Sequence, residues 1–245
     1  MSRIYNDKIS LDKEEVRAFF ERRGNSINPD HPLTSVLYQD QNPDLAHARD
    51  TFEKERVLPM LKLTTSARVL DVGCGIGRWA DCLVGLVGHY HGIDFSTSLV
   101  AAARDRVGAQ SVTFQELSAE SVSRERLSVA SDFSHVIIAG VLLYLNDNEA
   151  LRTLAAVADV CGGSALIYIR EPIAVGSRLT LKQFASSELQ SNYNAIYRTE
   201  AEFLDMARQS LIKNGFHLTF SDDLYPHHLN NRPDTIQKLY IFERP

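Results

Sequence analysis

The chain is poor in cysteine, in tryptophan and in long apolar runs, and it carries no surplus of positive charge. Its three cysteines, Cys74, Cys82 and Cys161, are odd in number and show no Cys-x-x-Cys spacing. A disulfide framework or a thiolate zinc site is therefore not expected, and a reducing interior fits best. No window approaches the roughly 18 consecutive apolar residues that a membrane span needs. Residues 1–10 mix Arg3, Asp7 and Lys8 among apolar neighbours. That leaves no hydrophobic stretch for a secretory leader, and the cytoplasm is the expected location. With 26 basic against 31 acidic side chains the formal charge is −5. A broad phosphate-binding surface is not expected from that balance, nor is a nucleic-acid partner.

What is present is an ordinary globular composition, 44% hydrophobic and 23% charged over 245 residues. At about 150 residues per domain there is room for one or two. Leu11 to Arg23 reads as a helix, a stretch rich in Pro, Asn and Asp follows, and Asp44 to Leu61 reads as a charged helix. These elements hold too few apolar positions to close a core alone, so residues 1–62 are expected to be a helical cap or lid. From Ala67 onward, short apolar runs alternate with helical periodicity. Strands are expected at Arg68–Val72, Tyr90–Ile93, Val112–Phe114, Phe133–Ala139 and Ala165–Ile169. This alternation predicts an α/β fold, a doubly wound, mostly parallel sheet over residues 63–245. Ser177 to Arg198, within an insert at 172–199, reads as helical or irregular. A helix over Glu200–Asn214 and a terminal hairpin follow, and the hairpin would add an antiparallel strand to the sheet edge.

The informative segment is Val69-Leu70-Asp71-Val72-Gly73-Cys74-Gly75-Ile76-Gly77-Arg78-Trp79. Alternating glycines after a strand let the backbone turn sharply beside a ligand. A nicotinamide-type G-x-G-x-x-G would need glycine at position 78, where this chain has arginine, so a dehydrogenase is disfavoured. Asp71, on the strand before the turn, favours a ligand with a cationic end over pyrophosphate. Asp94, in Gly92-Ile93-Asp94-Phe95-Ser96, ends the next strand, where a carboxylate can accept both hydroxyls of a ribose. Cys74 reads as small filler in the turn. His89 and His91 form a His-x-His without a third ligand, so no metal is expected.

The pattern "VLDVGCGIGRW" resembles the first motif of class I S-adenosylmethionine-dependent methyltransferases. "GIDFS" resembles their ribose-binding motif, and "HVIIAGVLLYL" their fourth-strand motif beside the methyl donor. The resemblance runs over roughly residues 65 to 170 and implies a Rossmann-like seven-stranded sheet with S-adenosylmethionine as cofactor. By it, Gly73, Cys74 and Gly75 would line the methionine portion, together with Asp71. Asp94 would hold the ribose, Phe95 and Leu99 would flank the adenosine, and Ala139, Gly140 and Val141 would run under the sulfonium. The third-strand position, usually an acid, falls on Leu117, Ser118 and Ala119 in "QELSAE", a departure from the pattern.

Acceptor residues are expected at strand ends and in the cap and insert: Tyr144, Arg170, Glu171, Tyr193 and Arg198, with Tyr5 and Tyr38 from the cap. Tyr193 and Tyr197 could equally be helix packing at i, i+4, and Arg198 could serve the next helix start. Arg49 would close over the donor by pairing with its carboxylate, or lie on the surface. Tyr144 and His47 are the candidates for acid–base work. "LYQDQNPDLAHARDTFEKERVLPML", "IYIREP" and "NAIYRT" are similar to bacterial small-molecule methyltransferases of specialised metabolism. That similarity implies a small polar acceptor, either a nitrogen of an azapteridine-type ring or a hydroxyl at a sugar or polysaccharide end. A non-catalytic nucleoside-binding subunit is the alternative from another class.

Overall fold

A computed structural model of the chain describes residues 2–245, so only Met1 of the expected cap lies outside the described residues. Five parallel strands, β2 (Arg68–Val72), β3 (His89–Asp94), β4 (Val112–Glu116), β5 (Phe133–Ala139) and β6 (Cys161–Ala174), form the main sheet. Their apolar positions are nearly continuous because helices cover both faces; Val69, Leu70, Val72, Val136, Ile138, Ile167 and Ile169 are fully buried. Two antiparallel strands, β9 (His217–Asp223) and β10 (Thr235–Arg244), complete the order β4-β3-β2-β5-β6-β10-β9. The chain runs outward from β2 through β3 to β4, then returns to β5 on the other side of β2. The crevice at the carboxyl ends of β2 and β5 is the switch point at which such folds bind ligands.

Helix starts follow their capping residues. Asp12 accepts from the Glu14 amide (2.9 Å) ahead of α1 (Lys13–Asn25). Asn42 caps α3 (Pro43–Val57), which opens on proline where the missing N–H is harmless. Ser96 caps α5 (Thr97–Arg106), and capping boxes open α6 (Asp147–Val160) and α7 (Glu200–Gln209). Between them lie α2 (Thr34–Leu37) and α4 (Arg78–Leu83).

The insert corrects the expectation of a helical or irregular segment. β7 (Leu179–Ser186) and β8 (Ser191–Tyr197) form a hairpin, and β1 (Ser2–Tyr5) pairs antiparallel with β7 to make a second, three-stranded sheet. The residues expected as a wholly helical cap therefore include a strand. Tyr193 and Tyr197 share a face because a strand repeats every two residues, not because a helix repeats every 3.6. The hairpin is hidden in the sequence because glutamines occupy its unusual backbone positions. Gln183, at a register shift in β7, has φ 48°, and Gln190, in the connection, has φ 45°. Glycine or asparagine would have marked both places.

One buried network joins the cap to the sheet. Glu53 of α3, with no solvent exposure, accepts from the Tyr168 hydroxyl (2.7 Å) and from Arg78 Nη2 (3.2 Å). Arg170 Nε lies 3.5 Å from the same carboxylate, and Arg78 Nη1 also bonds Asp50 at 2.9 Å. Burial alone would raise the Glu53 carboxyl, but Arg170 and Arg78 outweigh it and hold it below the usual carboxylate range. Its stabilising effect is thus complete above the ordinary glutamate range and fades as pH falls through the lowered folded value. Removing one partner of a buried pair costs about 3–5 kcal/mol because the other charge stays buried. Glu53→Gln is predicted to lower unfolding free energy in urea by about 3 kcal/mol at pH 7. A loss under about 0.5 kcal/mol, the ordinary effect of a surface change, would contradict the network's role.

Candidate active site

The turn after β2 is held against β3: the amides of Gly73 and Cys74 both donate to the Ile93 carbonyl, at 2.8 and 2.9 Å. Gly73 and Gly75 have φ of 72° and 54°. A Cβ at Gly73 would lie 2.4 Å from Val141 Cγ2, and one at Gly75 would lie 2.7 Å from Val36 Cγ1. Both positions therefore need glycine on conformational and on steric grounds. The Gly75 amide donates to Asp94 Oδ2 and the Ser96 amide to Oδ1, each at 2.9 Å. Ser96, not Asp94, caps α5, so the aspartate is free of that structural duty. Burial pushes the Asp94 carboxyl up to about 6 against the pull of those amides.

A cavity of about 220 Å³ opens at this crevice. Its walls bring together twelve of the residues expected to meet the cofactor. Gly73, Cys74 and Gly75 come from the β2 turn, and Asp94, Phe95 and Leu99 from the end of β3 and α5. Leu117, Ser118 and Ala119 follow β4, and Ala139 ends β5 beside Gly140 and Val141. Cys74 sits here with its thiol pushed well up by burial, as suits inert filler. Asp71 does not reach this cavity. It is buried under the sheet end, accepts from the Tyr90 hydroxyl (2.5 Å), and is pushed up to about 7 by burial.

The roof comes from the cap. Phe20 of α1 packs edge-on against Phe95 (5.6 Å between ring centres) and Tyr144 (4.9 Å). Tyr38 follows α2 with φ 60°, and Gln39 has φ 71°, two successive residues in a region that side chains rarely adopt. This backbone carries the Tyr38 hydroxyl to that of Tyr144, which also bonds the Tyr193 hydroxyl at 2.8 Å. Burial raises the pKa of all three phenols, so none is a phenolate at neutral pH.

Beyond these hydroxyls lies a second cavity of about 70 Å³, which shares Val36, Tyr38, Gly140, Tyr144 and Arg170 with the first. Tyr193 and Arg49 line it. Arg49 Nε donates to the Leu229 carbonyl (2.7 Å) and Nη2 to Asn231 Oδ1 (2.9 Å). Arg49 is thus neither a surface residue nor part of the larger cavity; the guanidiniums on that cavity's wall include Arg78 and Arg170.

The remaining expected residues lie apart. Arg198 lines neither cavity; it grips the Leu142 and Leu145 carbonyls (both 2.7 Å) and Asp147 (2.9 Å). It thereby fixes the turn that carries Tyr144. Glu171 is buried beyond both cavities and pushed up to about 7 by burial. Tyr5 is 47% exposed on β1, and His47 is exposed on α3; neither reaches a cavity wall. His91 is tied to Thr113 (2.8 Å) and Gln115 (3.2 Å) within the sheet. Sequence reasoning missed Arg232, Tyr225 and Gln237, which also line the second cavity. They sit in or beside a loop whose Pro, His and Asn content signals only a turn.

Residues 69–162 match a family model described as a methyltransferase domain. Over 164 residues the chain is 26% identical to phosphoethanolamine N-methyltransferase 1 of Triticum aestivum, a match covering 66% of this chain and 31% of that protein. The chain thus spans about a third of the length of the curated relatives it matches. Phosphoethanolamine N-methyltransferase 1 of Haemonchus contortus, solved with phosphoethanolamine and S-adenosylhomocysteine, superposes with a TM-score of 0.72 at 17% identity. That match covers 95% of this chain and 49% of that one. Magnesium protoporphyrin IX methyltransferase from Synechocystis PCC 6803, with S-adenosylmethionine bound, gives 0.63 at 17% identity, covering 98% and 100%.

The crevice and the glycine turn lie at the switch point of a Rossmann-like sheet, the place where such folds bind ligands. The matched segment and the superpositions give the chain the fold of S-adenosylmethionine-dependent methyltransferases. The built cavity suits S-adenosylmethionine, the cofactor the resemblance implies, since a Cβ at Gly73 or Gly75 would intrude on its walls and Asp94 ends β3 on the same wall. With Asp94 as ribose acceptor, affinity for S-adenosylhomocysteine is predicted to be constant above pH 7. It should fall about tenfold per unit below the Asp94 value of about 6, as the acceptor becomes protonated. Calorimetry between pH 5 and pH 8 checks this, and a flat profile would contradict it.

Proposed function

We propose that this protein transfers the methyl group of S-adenosylmethionine to a neutral nitrogen of a small polar acceptor held in the second cavity. The bound cofactor supplies a methyl already activated on a sulfonium, so the chain's task is to align the acceptor and exclude water. Asp94 accepts the ribose hydroxyls, the glycine turn lets the backbone lie close to the methionine portion, and Leu117, Ser118 and Ala119 border the adenine. Phe20 and Phe95 close the adenosine side against solvent. Tyr38, Tyr144 and Tyr193 meet at the neck between the cavities and orient the acceptor by hydrogen bonding.

The observation that carries the choice of nitrogen is the make-up of this neck. The residues common to both cavities are Val36, Tyr38, Gly140, Tyr144 and Arg170, with no carboxylate and no histidine. An alcohol would need a base there, whereas a neutral nitrogen needs only position. Tyr144 thus serves as an orienting group, and His47 has no place in the reaction. A ring nitrogen of an azapteridine-type toxoflavin precursor, a reaction of specialised metabolism in the cytoplasm, fits this neck. The amine of phosphoethanolamine, the acceptor named for the relatives, is an ammonium at neutral pH and would first have to lose a proton. A sugar or polysaccharide-end hydroxyl is the rival acceptor. A non-catalytic nucleoside-binding role is disfavoured by the second cavity, which such a subunit would not require.

The test pairs binding with turnover. Asp94→Ala removes two charge-assisted hydrogen bonds worth about 1.5–3 kcal/mol each, so affinity for S-adenosylhomocysteine should fall at least about a hundredfold in calorimetry. Wild-type affinity in that variant would overturn the cofactor placement. Methyl-labelled S-adenosylmethionine offered with an azapteridine, phosphoethanolamine or a free sugar should label a nitrogen acceptor, and labelling of the sugar alone would overturn the choice of nitrogen.

A further inference from the structure

The second cavity is walled by three guanidiniums, Arg49, Arg170 and Arg232, and by no carboxylate. Behind the wall the compensation is incomplete. Glu188 pairs with Arg232 at 2.6 Å, and Glu53 is shared between Arg170 and Arg78. Arg49 is 8% exposed, yet its hydrogen-bond partners are a backbone carbonyl and an asparagine side chain, both neutral. A buried guanidinium keeps its charge, and an uncompensated buried charge is expensive. A second observation points to the same space. The Tyr225 hydroxyl, on a side chain 8% exposed, has no hydrogen-bond partner, and Arg49 lies over that ring at 5.5 Å.

We infer that the methyl acceptor carries an oxyanion, a phosphate or a carboxylate, seated among Arg49, Arg170 and Arg232 with the Tyr225 hydroxyl donating to it. This rests on the methyltransferase reading above and adds the chemical class of its substrate. Guanidiniums present paired N–H groups to such an anion, which gives orientation as well as attraction. The Gln237 side-chain oxygen, also unpartnered on this wall, accepts rather than donates. It suits a hydroxyl or N–H elsewhere on the same molecule. The anion end thus anchors the acceptor on the arginines, and the nucleophilic end faces the hydroxyls of Tyr38, Tyr144 and Tyr193.

The experiment uses the full chain saturated with S-adenosylhomocysteine, titrated with inorganic phosphate and separately with acetate, and read by tyrosine fluorescence. Saturable binding of either ion is expected, weakened about tenfold in Arg49→Gln, the loss of one charged hydrogen bond. Arg49→Lys should recover part of it, and affinity for S-adenosylhomocysteine should stay within about twofold. Arg232→Gln, at a half-exposed position, gives a second reading should Arg49→Gln fail to fold. Tighter phosphate marks a phosphate monoester acceptor, and tighter acetate marks a carboxylate. No binding of either ion, equal binding in the variants, or a parallel loss of S-adenosylhomocysteine would overturn the inference. The last outcome would assign the guanidinium to the cofactor's own carboxylate. Failure of the wild-type chain to bind S-adenosylhomocysteine would instead sink the methyltransferase reading, so the two failures are distinct.

Discussion

A carboxylate with no access to water, Glu53, sits between two arginines and a tyrosine and decides how the rest of the molecule is arranged. It comes from α3, in the amino-terminal segment, while its partners come from α4 and β6 of the main sheet. Neither side could be buried without the other: the arginines would lack a counter-charge and the glutamate would be neutralised. The consequence is that α3 is fastened to the sheet beside the switch point. Arg78, which interrupts a dinucleotide-type glycine pattern, is the residue that receives it. Arg170 is held by Glu53 on one side and donates to the Ala139 carbonyl (2.9 Å) on the other, which places its guanidinium where the two cavities meet.

From that attachment the two cavities acquire different characters. The larger is built from strand ends and a glycine turn, backbone features that suit a cofactor with a ribose. The smaller is built from side chains contributed by the cap, the hairpin β7–β8 and the carboxyl-terminal loop, and it is rich in tyrosine and arginine. Arg198 shows how closely the two are coupled. It touches neither cavity, yet its three hydrogen bonds fix the turn bearing Tyr144, whose hydroxyl stands at the boundary. Burial keeps that hydroxyl protonated, as the orienting role proposed for it requires.

The cofactor half was legible in the sequence because its determinants are local. Gly73, Gly75 and Asp94 stand at fixed distances from strands whose apolar runs announce them, and the mostly parallel sheet follows from the alternation of strands and helices. The acceptor half was not, because its determinants are long-range. The sequence shows a charged helix over Asp44–Leu61 but not what it meets, and the structure places Arg49 on the wall of the smaller cavity. Asp71 was assigned to the ligand although its neighbour across the strand, Tyr90, satisfies it. The hairpin was missed because Gln183 and Gln190 adopt backbone angles that their residue type does not advertise. Tyr225 and Arg232 become site residues only when the carboxyl-terminal loop folds back over α3, a contact no motif encodes.

In the proposed reaction one switch-point crevice holds S-adenosylmethionine and opens through the Tyr38–Tyr144–Tyr193 neck onto the acceptor. A crystal structure with S-adenosylhomocysteine bound tests it most directly. Both ribose hydroxyls are expected on the Asp94 carboxylate, with the sulfur facing Tyr144 at the neck. A sulfur turned away from the neck, or a ribose held by residues other than Asp94, would contradict it.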